Sequence, residues 1–110
     1  MHKRITFRGM EHSAPMEDYV NQQLAKVEEF LSHERDPRFL DVVLDGTRIH
    51  NDNSVEVRVK TPNYDLVSNY KGPKIYDVID RVIDVMYNEL CEAKRKRIDE
   101  EKKKDVYKGA

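Results

Sequence analysis

The hydrophobic pattern changes period three times along the chain. Residues 3–9, KRITFRG, alternate, with Ile5 and Phe7 pointing one way and Arg4, Thr6 and Arg8 the other, as in a half-buried strand. From His12 the spacing turns helical. Met16, Val20, Leu24, Val27 and Leu31 recur at three or four, and Tyr19 and Phe30 broaden the stripe. Ser13 stands where an N-cap is needed, and Pro15 falls in the first turn, where a missing amide hydrogen does least harm. SHERDPR, residues 32–38, ends this helix.

Period two returns in FLDVVLDGTRIH, residues 39–50, with Leu40, Val42 and Leu44 on one face. NDN, residues 51–53, predicts a turn. SVEVRVKT, residues 54–61, is the clearest strand: Val55, Val57 and Val59 face in, and Glu56, Arg58 and Lys60 face out. PNYDLVSNY, residues 62–70, opens as a turn and continues as a fourth strand of weaker alternation, which KGP at 71–73 ends. From about Lys74 the period is helical again. Ile75, Ile79, Val82, Met86, Leu90 and Ala93 form its stripe, widened by Val78, Ile83 and Tyr87. After Ile98 the next apolar residue is Val106, so the last part of this helix is expected to leave the core and fray.

The order β-α-β-β-β-α predicts an α+β fold. A four-stranded, mainly antiparallel sheet with one polar face, and both helices packed on the other, satisfies every stripe. One domain is expected over residues 1–98, with 99–110 a charged helical extension and tail. A chain of 110 residues suffices for one modest core. Charged residues reach 37%, yet the 38% that are hydrophobic are well patterned, which argues against disorder. The single cysteine, Cys91, excludes an internal disulfide and a multi-cysteine zinc site. No apolar run suits a membrane span or a signal segment, so a soluble cytoplasmic protein is expected.

Charge is unevenly spread. Residues 93–110 hold eight Lys or Arg against four Asp or Glu, a net of +4; residues 1–92 hold twelve against seventeen, a net of -5. Any contact with nucleic acid must therefore be a local patch. The first candidate is Lys94, Arg95, Lys96 and Arg97, in CEAKRKRIDEEKKK. Asp77, Asp80 and Asp84 lie early in the same helix, a polarity that suits the helix dipole without any ligand. Asp99 and Glu100 can also pair with Lys103 and Lys104. Four consecutive cations exceed what capping needs, however, so solvated helix surface and phosphate contact both stand open. Arg4, Arg8, Arg58 and Lys60 are a second candidate: they form a basic patch if their strands are neighbours, although Asp41 and Asp45 interrupt it. No aromatic pair of the kind that stacks single-stranded bases is evident on that face, since Phe7 belongs to the apolar side.

Catalysis finds little footing. HNDN, His50 to Asn53, offers too few ligands for a metal site. EHS, residues 11–13, sets Glu, His and Ser side by side, but adjacency does not make a triad, and Ser13 is already a cap. Cys91 reads as a thiol at the edge of the core with no activating partner. No phosphate loop or zinc helix is present. A non-enzymatic protein is expected, without metal, cofactor, small-molecule substrate or membrane partner.

Several stretches carry a family resemblance over roughly residues 3–97: Ile5-Thr6, the capped helix from Ser13, Tyr19-Val20, Lys26, and above all YKGPKIYDVIDRVID with Gly72, Tyr76, Ile79 and Asp80. In order and spacing they resemble the ribosome hibernation-promoting and ribosome-associated inhibitor family, also described as sigma-54 modulation or ribosomal subunit interface proteins. The resemblance implies the same β-α-β-β-β-α domain. It implies binding to ribosomal RNA of the small subunit, over the mRNA and tRNA path, by basic residues of both helices, with translation blocked in stress or stationary phase. It also implies the short class, without the added domain that drives ribosome pairing. The positions it offers for RNA are Lys26, Arg81, Lys94, Arg95, Lys96 and Arg97. Val85, Asn88, Glu92, Gln23 and Glu29 stand where such proteins often carry cations, and Phe7 where glycine is common. Fewer phosphate-facing cations mean weaker RNA affinity and a flatter salt dependence. The alternative is a protein-interaction module that keeps the fold and has lost much of its RNA face. Oligomeric state stays open: an edge strand, the first or the last, could pair with a copy of itself in a weak homodimer, and nothing in the sequence demands it.

Overall fold

A computed structural model describes residues 1–46 and 52–108, with side chains to residue 103. The elements are β1 (His2–Arg8), α1 (Ala14–Leu31), β2 (Phe39–Gly46), β3 (Asn53–Lys60), β4 (Asp65–Gly72) and α2 (Ile75–Lys108). This is the expected order. β4 runs through Lys71 and Gly72, which the sequence pattern assigns to a break, because both pair with the start of β3. The turn expected at 51–53 and the end of the second strand lie partly outside the described residues.

The four strands lie in chain order, β1-β2-β3-β4. β2, β3 and β4 form an antiparallel meander. β1 pairs with β2 in parallel, so the sheet is mixed. Parallel neighbours need a crossover, and α1 with its two loops supplies one. β1 and β4 are the sheet's two edges.

One face of the sheet is covered. Leu40, Val42 and Leu44 of β2 and Val55, Val57 and Val59 of β3 are buried there. Against them lie Val20, Leu24, Val27 and Leu31 of α1, and Val78, Ile79, Val82, Ile83, Met86 and Leu90 of α2. Ile5 and Phe7 pack against this core from β1. β4 alternates weakly because its central inward residue is polar. Ser68 is buried and donates from Oγ to the Val82 carbonyl at 3.2 Å, which satisfies the hydroxyl against the helix.

Local chemistry sets the joints. Ser13 Oγ accepts from the Met16 amide at 3.3 Å, capping α1 as the sequence predicts. Gly9 has φ +66°, and a Cβ there would stand 2.6 Å from the Gly46 carbonyl oxygen. Only glycine lets the chain leave β1 so close to the end of β2. The β3–β4 hairpin closes on Thr61, whose Oγ1 accepts from the amides of Asn63 and Tyr64 at 3.2 and 3.0 Å.

α2 has 34 residues, about 51 Å at 1.5 Å per residue, far more than a strand of eight residues spans. It overruns the sheet, and the molecule is 62 Å long against widths of 25 and 18 Å. Among the residues of α2 with described side chains Leu90 is the last buried one, and residues 99–103 are exposed. Among the described residues no helix is long and apolar enough to cross a membrane.

Candidate nucleic-acid interface

The chemistry-bearing side chains gather along the seam between α1 and α2. At one end, Tyr19 Oη of α1 donates to Asp80 Oδ1 of α2 at 2.5 Å. That hydrogen bond, helped by burial, pushes the Tyr19 hydroxyl pKa up to about 12. Tyr76 meets the Tyr19 ring edge-on at 4.9 Å. In the middle, Lys26 of α1 pairs with Asp84 of α2 and lies 5.4 Å from the centroid of the Tyr87 ring. Further along, Lys94 of α2 lies 5.7 Å from the centroid of Phe30 on α1. Phe30 in turn packs on Tyr64 at 5.7 Å.

Arg97 closes this line. Its guanidinium lies 5.7 Å from the Tyr64 ring centroid, Nε donates to Tyr64 Oη at 3.3 Å, and Nη1 pairs with Glu101 at 3.4 Å. The tyrosine hydrogen bond holds the guanidinium pKa above its ordinary value. Arg81, on another side of α2, lies 5.7 Å from the Tyr70 ring centroid. Four of the six helical cations singled out in the sequence therefore rest on aromatic rings: Lys26 on Tyr87, Arg81 on Tyr70, Lys94 on Phe30 and Arg97 on Tyr64. A ring face holds a cation without using its N–H donors, so for Arg81 and Lys94 placement and capacity for phosphate coexist, whereas Lys26 also engages Asp84 and Arg97 also engages Tyr64 Oη and Glu101.

Arg95 and Lys96 differ. Both reach Glu92, at 3.9 and 3.7 Å, with side chains about 70% exposed. Exposed pairs of this kind are weak and readily exchanged for another anion. Charge along the seam is graded, with Asp77, Asp80 and Asp84 towards the start of α2 and Lys94 to Arg97 in its second half, past Leu90.

The strand cations do not join this group. β2 separates β1 from β3, and the register sets Arg4, Asp41 and Arg58 in one row across the open face. Arg4 pairs with Asp41 at 3.3 Å, and Arg58 with Asp65 at 3.7 Å. Arg8 stands opposite Asp45, and Lys60 opposite Phe39 and Asp65. The neighbouring of basic strands that a continuous patch requires is therefore absent.

The other sequence candidates are occupied locally. His12 pairs with Glu17 at 2.5 Å, and Ser13 caps α1, so residues 11–13 converge on no common point. His50 and Asn51 lie outside the described residues, and Asn53 Nδ2 donates to the Pro73 carbonyl at 3.1 Å. Among the described residues no three His, Cys, Asp or Glu side chains gather as a metal site. Cys91 is exposed, outside the core edge expected for it, and raises the pKa of the neighbouring Tyr87 hydroxyl through a hydrogen bond.

Fold and surface together define the class: a small α+β domain that carries its polar chemistry on the outside, along a helical seam and a projecting helix. The chain belongs to the family described as sigma 54 modulation protein / S30EA ribosomal protein, which matches residues 4–98. A ribosome-related role follows from that membership. Two solved structures share the fold. The N-terminal domain of Thermus thermophilus Protein Y is 22% identical, with a TM-score of 0.67 over 82% of this chain and 96% of that one. A ribosomal subunit interface protein from Coxiella burnetii is 16% identical, with a TM-score of 0.64 over 86% of this chain and 99% of that one. No curated protein matches the sequence.

Proposed function

We propose that the protein is a non-enzymatic translation inhibitor of the cytoplasm, acting in stress or stationary phase. It binds ribosomal RNA of the small ribosomal subunit and sterically blocks the mRNA and tRNA path, keeping idle ribosomes intact. The observation that carries this reading is the C-terminal half of α2, where Lys94, Arg95, Lys96 and Arg97 follow one another on the helix of a chain whose family is ribosomal. Lys26 and Arg81 add two ring-seated cations from the covered part of the molecule. Arg4, Arg8, Arg58 and Lys60 contribute at most a weaker contact, since Asp41 and Asp65 already engage two of them. Counterion release from RNA supplies most of the affinity and makes it salt-dependent.

A cell-free translation assay tests the steric part. Added protein lowers synthesis, and pre-loading small subunits with mRNA and initiator tRNA protects them. Equal inhibition of loaded and empty subunits contradicts a block of the ligand path.

A second reading has an observation of its own. Lys26 is neutralised by Asp84, and Arg95 and Lys96 share Glu92. A surface so internally paired suits a protein partner, and binding that resists moderate salt would favour it.

A further inference from the structure

The open face of the sheet carries an aromatic stack that the sequence alone does not reveal. His2 and Phe39 are partners in the parallel β1–β2 register, and their rings stack at 5.1 Å with 15° between planes. Phe39 is 38% exposed, although it is one of only three phenylalanines in the chain. Two shallow depressions, of 530 and 310 Å³, adjoin on its ring, and Asp41 lines both. Arg4 borders the first, and Arg58 and Lys60 the second. Lys3 also borders the first, but its ammonium pairs with Glu28 of α1 at 2.9 Å. Lys60 is exposed and makes no ion pair among the described residues.

We infer that this trough is a stacking platform for unpaired nucleotides of single-stranded RNA, on the face of the sheet opposite the helices. The chemistry selects that occupant. A base presents a flat π-face to Phe39, and its flanking phosphates meet Arg4, Arg58 and Lys60, whose three charges exceed those of Asp41 and Asp65, the carboxylates paired with Arg4 and Arg58. Sheet-face aromatics beside cations are how single strands are held without sequence preference. A duplex keeps its bases stacked on each other and cannot offer one. The trough is independent of the α2 cluster, so the inference stands whether or not the ribosome reading does.

The test is fluorescence anisotropy of a labelled single-stranded RNA octamer with the full chain at low salt, using wild type, Phe39→Ala, Phe39→Trp and Lys60→Glu. The quadruple variant K94E/R95E/K96E/R97E serves as the helix control. Phe39 lies outside the hydrophobic core, and thermal melts check that each variant folds. Phe39→Ala is expected to bind roughly tenfold more weakly, the loss of one base–aromatic stack. Phe39→Trp retains binding, and its indole fluorescence is quenched by the RNA. Lys60→Glu weakens binding, and unlabelled duplex competes poorly. An unchanged Phe39→Ala, equal competition by duplex, or binding lost only in the quadruple variant would overturn the platform. So would a wild type that binds no octamer at low salt. Failure of the protein to bind small subunits, by contrast, leaves these readouts intact and overturns only the ribosome reading.

Discussion

Lys26 of α1 and Asp84 of α2 form an ion pair across the helical seam, beneath which lies the ring of Tyr87. The pair positions a cation and masks its charge at the same time. Its side chains are 39% and 58% exposed, so its contribution to stability is about 0–1 kcal/mol after solvent screening. Asp84→Asn is therefore expected to leave the denaturation midpoint almost unchanged. Removing the anion frees the ammonium, so affinity for small ribosomal subunits rises several-fold at low salt. The slope of log affinity against log salt steepens by up to about 0.9, the effect of one more phosphate neutralised. Adding Lys26→Ala to Asp84→Asn should cancel the rise in affinity, and a rise that persists would assign the effect to Asp84 alone.

Tyr19 and Asp80 couple the same helices near the start of α2 through a 2.5 Å hydrogen bond. The Tyr19 pKa is raised to about 12, so the native state holds this proton more tightly than the unfolded chain does. The associated stability is fully present below the ordinary tyrosine pKa near 10. It is lost as pH climbs from about 10 towards about 12. Tyr19→Phe should cost about 1 kcal/mol at neutral pH, the usual worth of such a bond. The gap between wild type and variant should then narrow across that alkaline window. Urea midpoints at pH near 8 and near 11 measure both; a gap that widens would reverse the sign assigned here.

Leu24 of α1 is wholly buried in the hydrophobic core. Leu24→Ala should destabilise the domain by about 2–5 kcal/mol, combining lost transfer free energy with an unfilled cavity. Chemical denaturation reads this directly.

Gly9→Ala tests a backbone constraint in place of a packing one. An alanine at φ +66° is strained, and its methyl would meet the Gly46 carbonyl at 2.6 Å. A loss of more than about 1 kcal/mol is expected from the same denaturation experiment, where an open site would give an increase.

The chain's periodicity carries most of the fold. The stripe from Met16 to Leu31, the Ser13 cap and the Val55-Val57-Val59 strand are legible because each is a local pattern, and each is found as read. Strand direction is not legible, because alternation is the same in parallel and antiparallel pairs; β1 lies parallel to β2. That one unread fact hides the His2–Phe39 stack, which exists only through the β1–β2 register. It also hides the place of Asp41 between Arg4 and Arg58. The candidate cations of α2 are visible as a run, but their seats are not. Lys94 on Phe30 and Arg97 on Tyr64 depend on how α2 crosses α1 and the β3–β4 hairpin, a tertiary relation with no signature in spacing.

Co-sedimentation with purified small ribosomal subunits, at low and at moderate salt, tests the central claim most directly. Wild type is compared with K94E/R95E/K96E/R97E. The account predicts one protein bound per subunit at low salt, release at moderate salt, and little binding by the variant at either. Wild type left in the supernatant at low salt, or a variant that pellets as well as wild type, would contradict it.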